Sequence, residues 1–203
     1  MNAPALNRLL GLFAACPIHL IPLCALLAGC AGTTDQFYRL SPDGELPAAR
    51  AAGEAALPIG LGPVKLPDYI DRAELVFQSA ENRFEIPPDH RWAGSLGDSV
   101  TEVLAADLGH RLNSAAVYAY PWDPSHAPRY SIPVRIRQFH AVSGGDAILD
   151  VSWEIRDPAS STTRQFGSEV FEEALMEEGY DGVVAAQNRL LGRLADAIAD
   201  QLR

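Results

Sequence analysis

The chain has 203 residues, of which 48% are hydrophobic and 21% charged, and carries a formal net charge of −10. That composition suits one globular domain and excludes collagen-like or disordered chains. The acidic balance excludes electrostatic nucleic-acid binding, because tracking phosphates needs clustered Lys and Arg and this chain holds a single lysine, Lys65. Between Met1 and Gly29 the only charged side chain is Arg8, so the acidity belongs to the remainder.

Arg8 is followed by an uncharged run from Leu9 to Gly29 that ends in small residues, the order of a secretory leader. A spanning helix is the competing reading. Pro17, His19 and Pro22 interrupt the run and argue for a leader over residues 1–29. Cys16 and Cys24 lie inside it, so Cys30 alone survives cleavage, which excludes an intramolecular disulfide and a thiolate metal site. Leu27-Ala28-Gly29-Cys30 resembles the lipobox of bacterial lipoproteins. The resemblance implies cleavage after Gly29 and lipidation of Cys30 by N-acyl (palmitate-type) and S-diacylglycerol groups. Stable attachment needs more than one chain. Ala31 replaces the Asp of an inner-membrane retention signal, which implies the outer membrane, periplasmic face.

Residues 30–56 read as a lipidated N-terminus, a short strand at Phe37 to Leu40, and a flexible connector over 41–56 rich in Ala, Gly and Pro. The domain is expected over 57–203. Leu57 to Leu66 suits a strand ending in a turn at Pro67-Asp68, and Glu74 to Gln78 pairs with Arg83 to Ile86 around Glu81-Asn82. Trp92, Leu96, Val100, Val103, Leu104, Leu108 and Leu112 fall at helical intervals, with Asp98, Glu102 and Asp107 on the remaining wheel. Ala116 to Tyr120 reads as a strand, followed by a proline-rich loop over 121–129. Ile132, Val134 and Ile136, then Ala147, Leu149, Val151, Trp153 and Ile155, alternate as two strands joined by a hairpin at Ser143 to Asp146. A third strand follows around Arg164 to Phe171. A closing helix from about Asp181 carries Val183, Val184, Leu190, Leu191, Leu194, Ile198 and Leu202 as one stripe. This order predicts an α+β single domain, a largely antiparallel sheet covered by two amphipathic helices.

No catalytic site is expected. Gly97-Asp98-Ser99-Val100 resembles the nucleophile block of GDSL-type hydrolases, with His90, His110, His126 and His140 as conceivable bases. A nucleophilic serine needs an exposed turn after a strand and an oxyanion hole, and Ser99 falls mid-helix. The histidines have no metal-ligand spacing and read as surface or capping residues, and Gly60-Leu61-Gly62 leads into Pro63, not a phosphate-cradling helix. Neither metal nor cofactor is expected. Glu169, Glu172, Glu173, Glu177, Glu178 and Asp181 form an acidic cluster that reads as a solvated loop.

Ile59 to Arg72, running Ile-Gly-Leu-Gly-Pro-Val-Lys-Leu-Pro-Asp-Tyr-Ile-Asp-Arg, resembles the signature of the PqiC/YmbA-type ABC-transport auxiliary lipoproteins, partners of mammalian-cell-entry (MCE) lipid transport systems. Phe37-Tyr38-Arg39-Leu40 is similar to the family's opening motif, Arg91-Trp92-Ala93 to the start of its first helix with Val103-Leu104-Ala105 continuing it, and Tyr180, Ala186 and Leu190 to its closing helix. Gly94 and Gly97 depart from the pattern at the first helix, as does Gln138-Phe139-His140. The resemblance implies a non-enzymatic lipoprotein anchored at Cys30, docking an MCE-domain conduit to the outer membrane for phospholipid transport, with homo-oligomerisation open. Within the signature, Pro67 and Asp68 would shape a turn presenting Tyr69, and Asp71 and Arg72 would fix the loop or pair across an interface. The alternatives are a GDSL-like periplasmic hydrolase and a lipoprotein that binds lipid directly.

Overall fold

A computed structural model describes residues 34–43, 58–123, 127–160 and 162–203. The leader, Gly29, Cys30 and most of the expected connector lie outside them. The described elements, in chain order, are β1 (Gln36–Tyr38), β2 (Ile59–Lys65), β3 (Phe77–Ala80), β4 (Arg83–Glu85), β5 (His90–Trp92), α1 (Leu96–Arg111), β6 (Val117–Ala119), β7 (Tyr130–Val142), β8 (Ala147–Asp157), β9 (Thr162–Glu173) and α2 (Gly179–Leu202).

The two strictly alternating runs become the centre of the sheet. β7 and β8 pair antiparallel around the hairpin, and β9 pairs antiparallel with β8 along almost its whole length. The opposite edge of β7 is shared. β2 runs parallel to its first half, with Ile59 opposite Tyr130, and β3 runs parallel to its end, with Phe77 opposite Ala141. β6 extends β2 and β4 extends β3, so the long ladders are antiparallel and the parallel ones are short. Every second residue of β8 from Ala147 to Ile155 is buried, and those between are half-buried, as expected of a sheet covered on one face. The covering layer is α1 and α2, whose apolar residues join those strands in one core. The α+β architecture expected from the alternation is therefore the one found.

Four local expectations change. The first helix starts at Leu96, where Ser95 accepts the N–H of Asp98 at 3.2 Å as an N-cap. Trp92 is thus not helical. It ends β5, a strand the periodicity does not show, and Gly94 stands before the helix, where its low helix propensity costs nothing. Asp107, expected on the solvent side, is fully buried. His140, expected at the surface, is 1% exposed.

The folded unit also begins earlier than residue 57. It runs from Asp35 to Arg203. β1 pairs in parallel with β5, Leu40 is buried in the core, and Asp43 donates its backbone N–H to Asp107 Oδ1 at 2.7 Å. The described residues on both sides of 44–57 thus belong to one unit.

Candidate functional site

The Pro67 carbonyl accepts the N–H groups of both Ile70 and Asp71, at 3.1 and 3.2 Å, which closes the turn the prolines predict. Ile70 is buried beneath it, while Asp68, Asp71 and Arg72 point to solvent and Pro67 is half-buried. Arg72 does not pair with its neighbour Asp71. Its Nε donates to Glu74 Oε2 at 3.0 Å, and that hydrogen bond, with Arg91 3.7 Å away on the other oxygen, holds the Glu74 carboxyl below its ordinary range. The loop is fixed by Arg72, and the carboxylates of Asp68 and Asp71 remain exposed.

Tyr69 is half-buried, and what it covers explains the unusual Gln138-Phe139-His140 stretch. A register irregularity in β7 between Ile136 and Gln138 sends Phe139 into the core under the helices and His140 to the opposite face of the sheet. There Tyr69 and Phe84 close over it, with ring centroids 5.8 and 5.3 Å away. Gln78 Nε2 donates to the Glu81 carbonyl at 2.9 Å, which orients its Oε1 toward His140 Nε2 at 3.1 Å. An amide oxygen only accepts, so His140 carries its proton on Nε2, and Nδ1 accepts from the Tyr69 hydroxyl at 3.0 Å. Burial lowers the His140 pKa and pushes the Tyr69 hydroxyl up to about 12. Both groups are neutral at pH 7, and the network is a structural lock for the turn.

Pieces of the sequence that lie far apart meet in a second cluster. The Tyr38 hydroxyl bonds His90 Nδ1 at 2.8 Å, and Tyr180 stacks on the same imidazole with centroids 3.5 Å apart. Phe77 meets Tyr180 edge-on at 4.9 Å. Tyr38 is the ladder partner of Trp92, and Ala93 donates its N–H to the Tyr38 carbonyl at 2.8 Å. The opening motif, Arg91-Trp92-Ala93 and the start of the closing helix thus form one contact, which seats β1 on the domain. Beside it lies an open cleft of about 420 Å³ between Phe77, Ile86, Pro87 and Tyr180. No local signal in the sequence points to this cluster, because its members are separated by long stretches of chain.

The GDSL-like block fares differently. Ser99 is the fourth residue of α1, at its start and not mid-helix as expected, its N–H bonded to the Ser95 carbonyl, in a shallow cleft with Asp98 and Glu102. His90 and His140 are committed to the two networks above, and His126 lies outside the described residues. No group of three or more metal-ligating side chains occurs among the described residues. The acidic cluster is partly neutralised: Glu173 on β9 accepts from Arg189 Nε at 2.6 Å and lies 3.6 Å from Arg193, both on α2.

The family model for the ABC-type transport auxiliary lipoprotein component matches residues 38–199. The chain belongs to that family. Among curated proteins it is 23% identical over 186 residues to intermembrane transport lipoprotein PqiC of Escherichia coli (strain K12) and equally to PqiC of Shigella flexneri, covering 91% of this chain and 96% of theirs. Among solved structures an uncharacterized protein matches with a TM-score of 0.67 at 19% identity, over 84% of this chain and 99% of its own. A protein from Xanthomonas campestris matches with 0.61 at 12% identity, over 80% and 92%. These share the fold. The auxiliary-lipoprotein match runs from Tyr38, the last residue of β1, to Ala199 near the end of α2. Both aromatic networks and the 67–72 turn lie inside it.

Proposed function

We propose that this auxiliary lipoprotein is anchored by acyl groups on Cys30 in the outer membrane, faces the periplasm, and docks an MCE-domain conduit of an intermembrane phospholipid transporter there, without chemistry of its own. The observation that carries this reading is the near full-length match to relatives named for intermembrane transport. The exposed carboxylates Asp68 and Asp71, on a turn locked by Tyr69, with Pro67 shaping it and Arg72 bracing it, are the contact surface for the conduit. A rigid loop loses little entropy on binding. Homo-oligomerisation would multiply such weak contacts around one conduit.

The early start of the folded unit sharpens the mechanism. From Cys30 to Asp35 the chain takes five steps, a reach of roughly 17 Å when fully extended. The domain therefore works close to the membrane surface.

Labelling cells with a fatty-acid precursor tests the anchor. The expected result is label on the wild type and none on Cys30→Ala, which leaves the membrane fraction. Crosslinking followed by capture of the tagged protein tests the docking, and failure to recover a co-expressed MCE-domain partner would overturn it.

A further inference from the structure

Among the described residues the helices leave one face of the sheet open, and the turn at Tyr69 covers only the His140 end of it. Further along that face a cleft of about 220 Å³ is lined by Lys65, Arg135, Ser152, Glu154, Arg156 and Phe166, among others. Lys65 and Arg135 are direct ladder partners on β2 and β7, so both side chains rise from the same face, on strands about 4.8 Å apart. Like charges directly opposite each other are destabilising. Neither side chain makes a hydrogen bond, ion pair or ring contact with another described residue, in a protein where Arg137 is held by Asp150, Arg129 by Asp157 and Arg189 by Glu173. The one carboxylate in the cleft, Glu154, is taken by Arg156 Nε at 2.8 Å and by the Thr163 hydroxyl at 3.1 Å. Three cations thus face one engaged anion, in a chain whose net charge is −10. A bound anion would relieve the repulsion of such a pair.

The surroundings say which kind. Arg135 is the ladder partner of Ser152, whose hydroxyl adds a donor beside the cations. Across β8, Phe166 is 63% exposed and Val170 56%, on the same outward side of β9 at a spacing of four. Two exposed apolar side chains beside paired cations, with Ser168 between them, fit an amphiphile with a phosphate at one end. The volume is below the roughly 300 Å³ at which pockets begin to enclose a drug-sized molecule, so the cleft takes a headgroup and leaves the chains along the strand surface.

We propose that Lys65 and Arg135 bind the phosphate of an anionic glycerophospholipid on the open face of the sheet, with Phe166 and Val170 carrying the first part of an acyl chain. The choice of a lipid rests on the intermembrane transport role proposed above, whereas the cation pair stands without it.

The test is calorimetric titration of the full-length protein in nonionic detergent with dihexanoyl phosphatidylglycerol, glycerol phosphate, inorganic phosphate and an oligoglutamate peptide. Phosphatidylglycerol is expected to bind, and the double variant Lys65→Gln with Arg135→Gln to weaken it by about tenfold or more, since each lost charge-assisted bond is worth on the order of a factor of ten. Arg135→Lys, which keeps the charge, should retain most of the binding, and this guards against a folding defect in the double variant. Phe166→Ser should weaken the lipid several-fold and leave glycerol phosphate unchanged. Equal lipid binding by the wild type and the double variant would overturn the site. Inorganic phosphate or the peptide binding as tightly as the lipid would overturn the lipid assignment. Conduit capture separates this proposal from the docking role: wild type that captures the conduit but binds no lipid loses only the lipid site, and the reverse result loses only the docking.

Discussion

Arg111 lies 3.6 Å from Asp107, one turn earlier on α1, and reaches past it to Asp196 on α2 at 2.8 Å and to Asp43 at 3.3 Å. One guanidinium thus joins both helices to the segment that follows β1. Close approach is needed for this: a Cβ on Gly192 would stand 3.0 Å from Arg111 Nη2 and 3.1 Å from Asp43 Oδ2. Asp107 Oδ2 is buried without a partner, and burial raises the pKa of that carboxyl above its ordinary 3.8.

Asp107→Ala should therefore cost about 2–4 kcal/mol, because it removes the acceptor for Asp43 N–H and opens space beside a partly buried arginine. Asp107→Asn, neutral and of the same shape, should cost less than half as much. Urea denaturation at pH 7 compares them. The sign of the pH effect follows from the raised native value. The carboxyl's favourable contribution is complete below 3.8 and is lost as pH rises through the native pKa, so the gap between wild type and Asp107→Asn should shift toward the Asn variant between pH 4 and pH 7.

His140 gives the opposite trend. Its native pKa is below the ordinary 6.5, so the unfolded chain binds the proton more readily and stability falls as pH drops below 6.5, levelling off beneath the depressed native value. His140→Gln should flatten that slope in urea midpoints measured from pH 7.5 to 5. Tyr69→Phe should cost about 1 kcal/mol through the bond lost at Nδ1.

Gly167 is required on β9 by close approach. A Cβ there would lie 2.2 Å from the Trp153 indole, which is pinned from behind by its own N–H donating to Gln201 Oε1 at 2.9 Å. Gly167→Ala should destabilise by about 2–3 kcal/mol, read as a lowered thermal midpoint, by forcing the indole out of the core edge.

Asp68→Ala and Asp71→Ala change side chains exposed to solvent. Each should alter stability by less than about 0.5 kcal/mol. If the turn is the docking surface, the double variant should lose conduit capture while melting like the wild type. Ser99→Ala should leave both capture and fold intact, and any serine-dependent ester cleavage by the wild type would speak for the hydrolase.

Legibility in the sequence followed the range of the interactions. β7, β8 and α2 were readable because Ile132 to Ile136, Ala147 to Ile155 and Val183 to Ile198 advertise their burial at a fixed local period. β5 was not, since three residues pairing with three residues of β1 leave no period to count. Asp107 was misplaced because a carboxylate on a helical wheel reads as solvent-facing, and its hydrogen-bond partner lies 64 residues earlier. At the 67–72 turn the prolines were informative, whereas the choice of Glu74 over Asp71 by Arg72 depends on β5 bringing Arg91 alongside. The pairing of Lys65 with Arg135 depends on β2 running parallel to β7, which strand patterns alone do not encode.

The short β1 ladder has a mechanical consequence. A pull applied to the chain ahead of Asp35 enters the domain at Gln36, whose N–H is bonded to the Asp89 carbonyl at 2.7 Å, and passes along the β1 and β5 pairing before reaching Leu40. Beyond Leu40 the load is taken up by Asp43 through Asp107 and Arg111, and so by the helices. β5 also passes load to Leu75, whose N–H bonds the His90 carbonyl at 2.9 Å, and so toward β3 at the edge of β7. On the anchoring proposed at Cys30, tension would enter through β1 and β5 and be shared with the helical layer through Asp43.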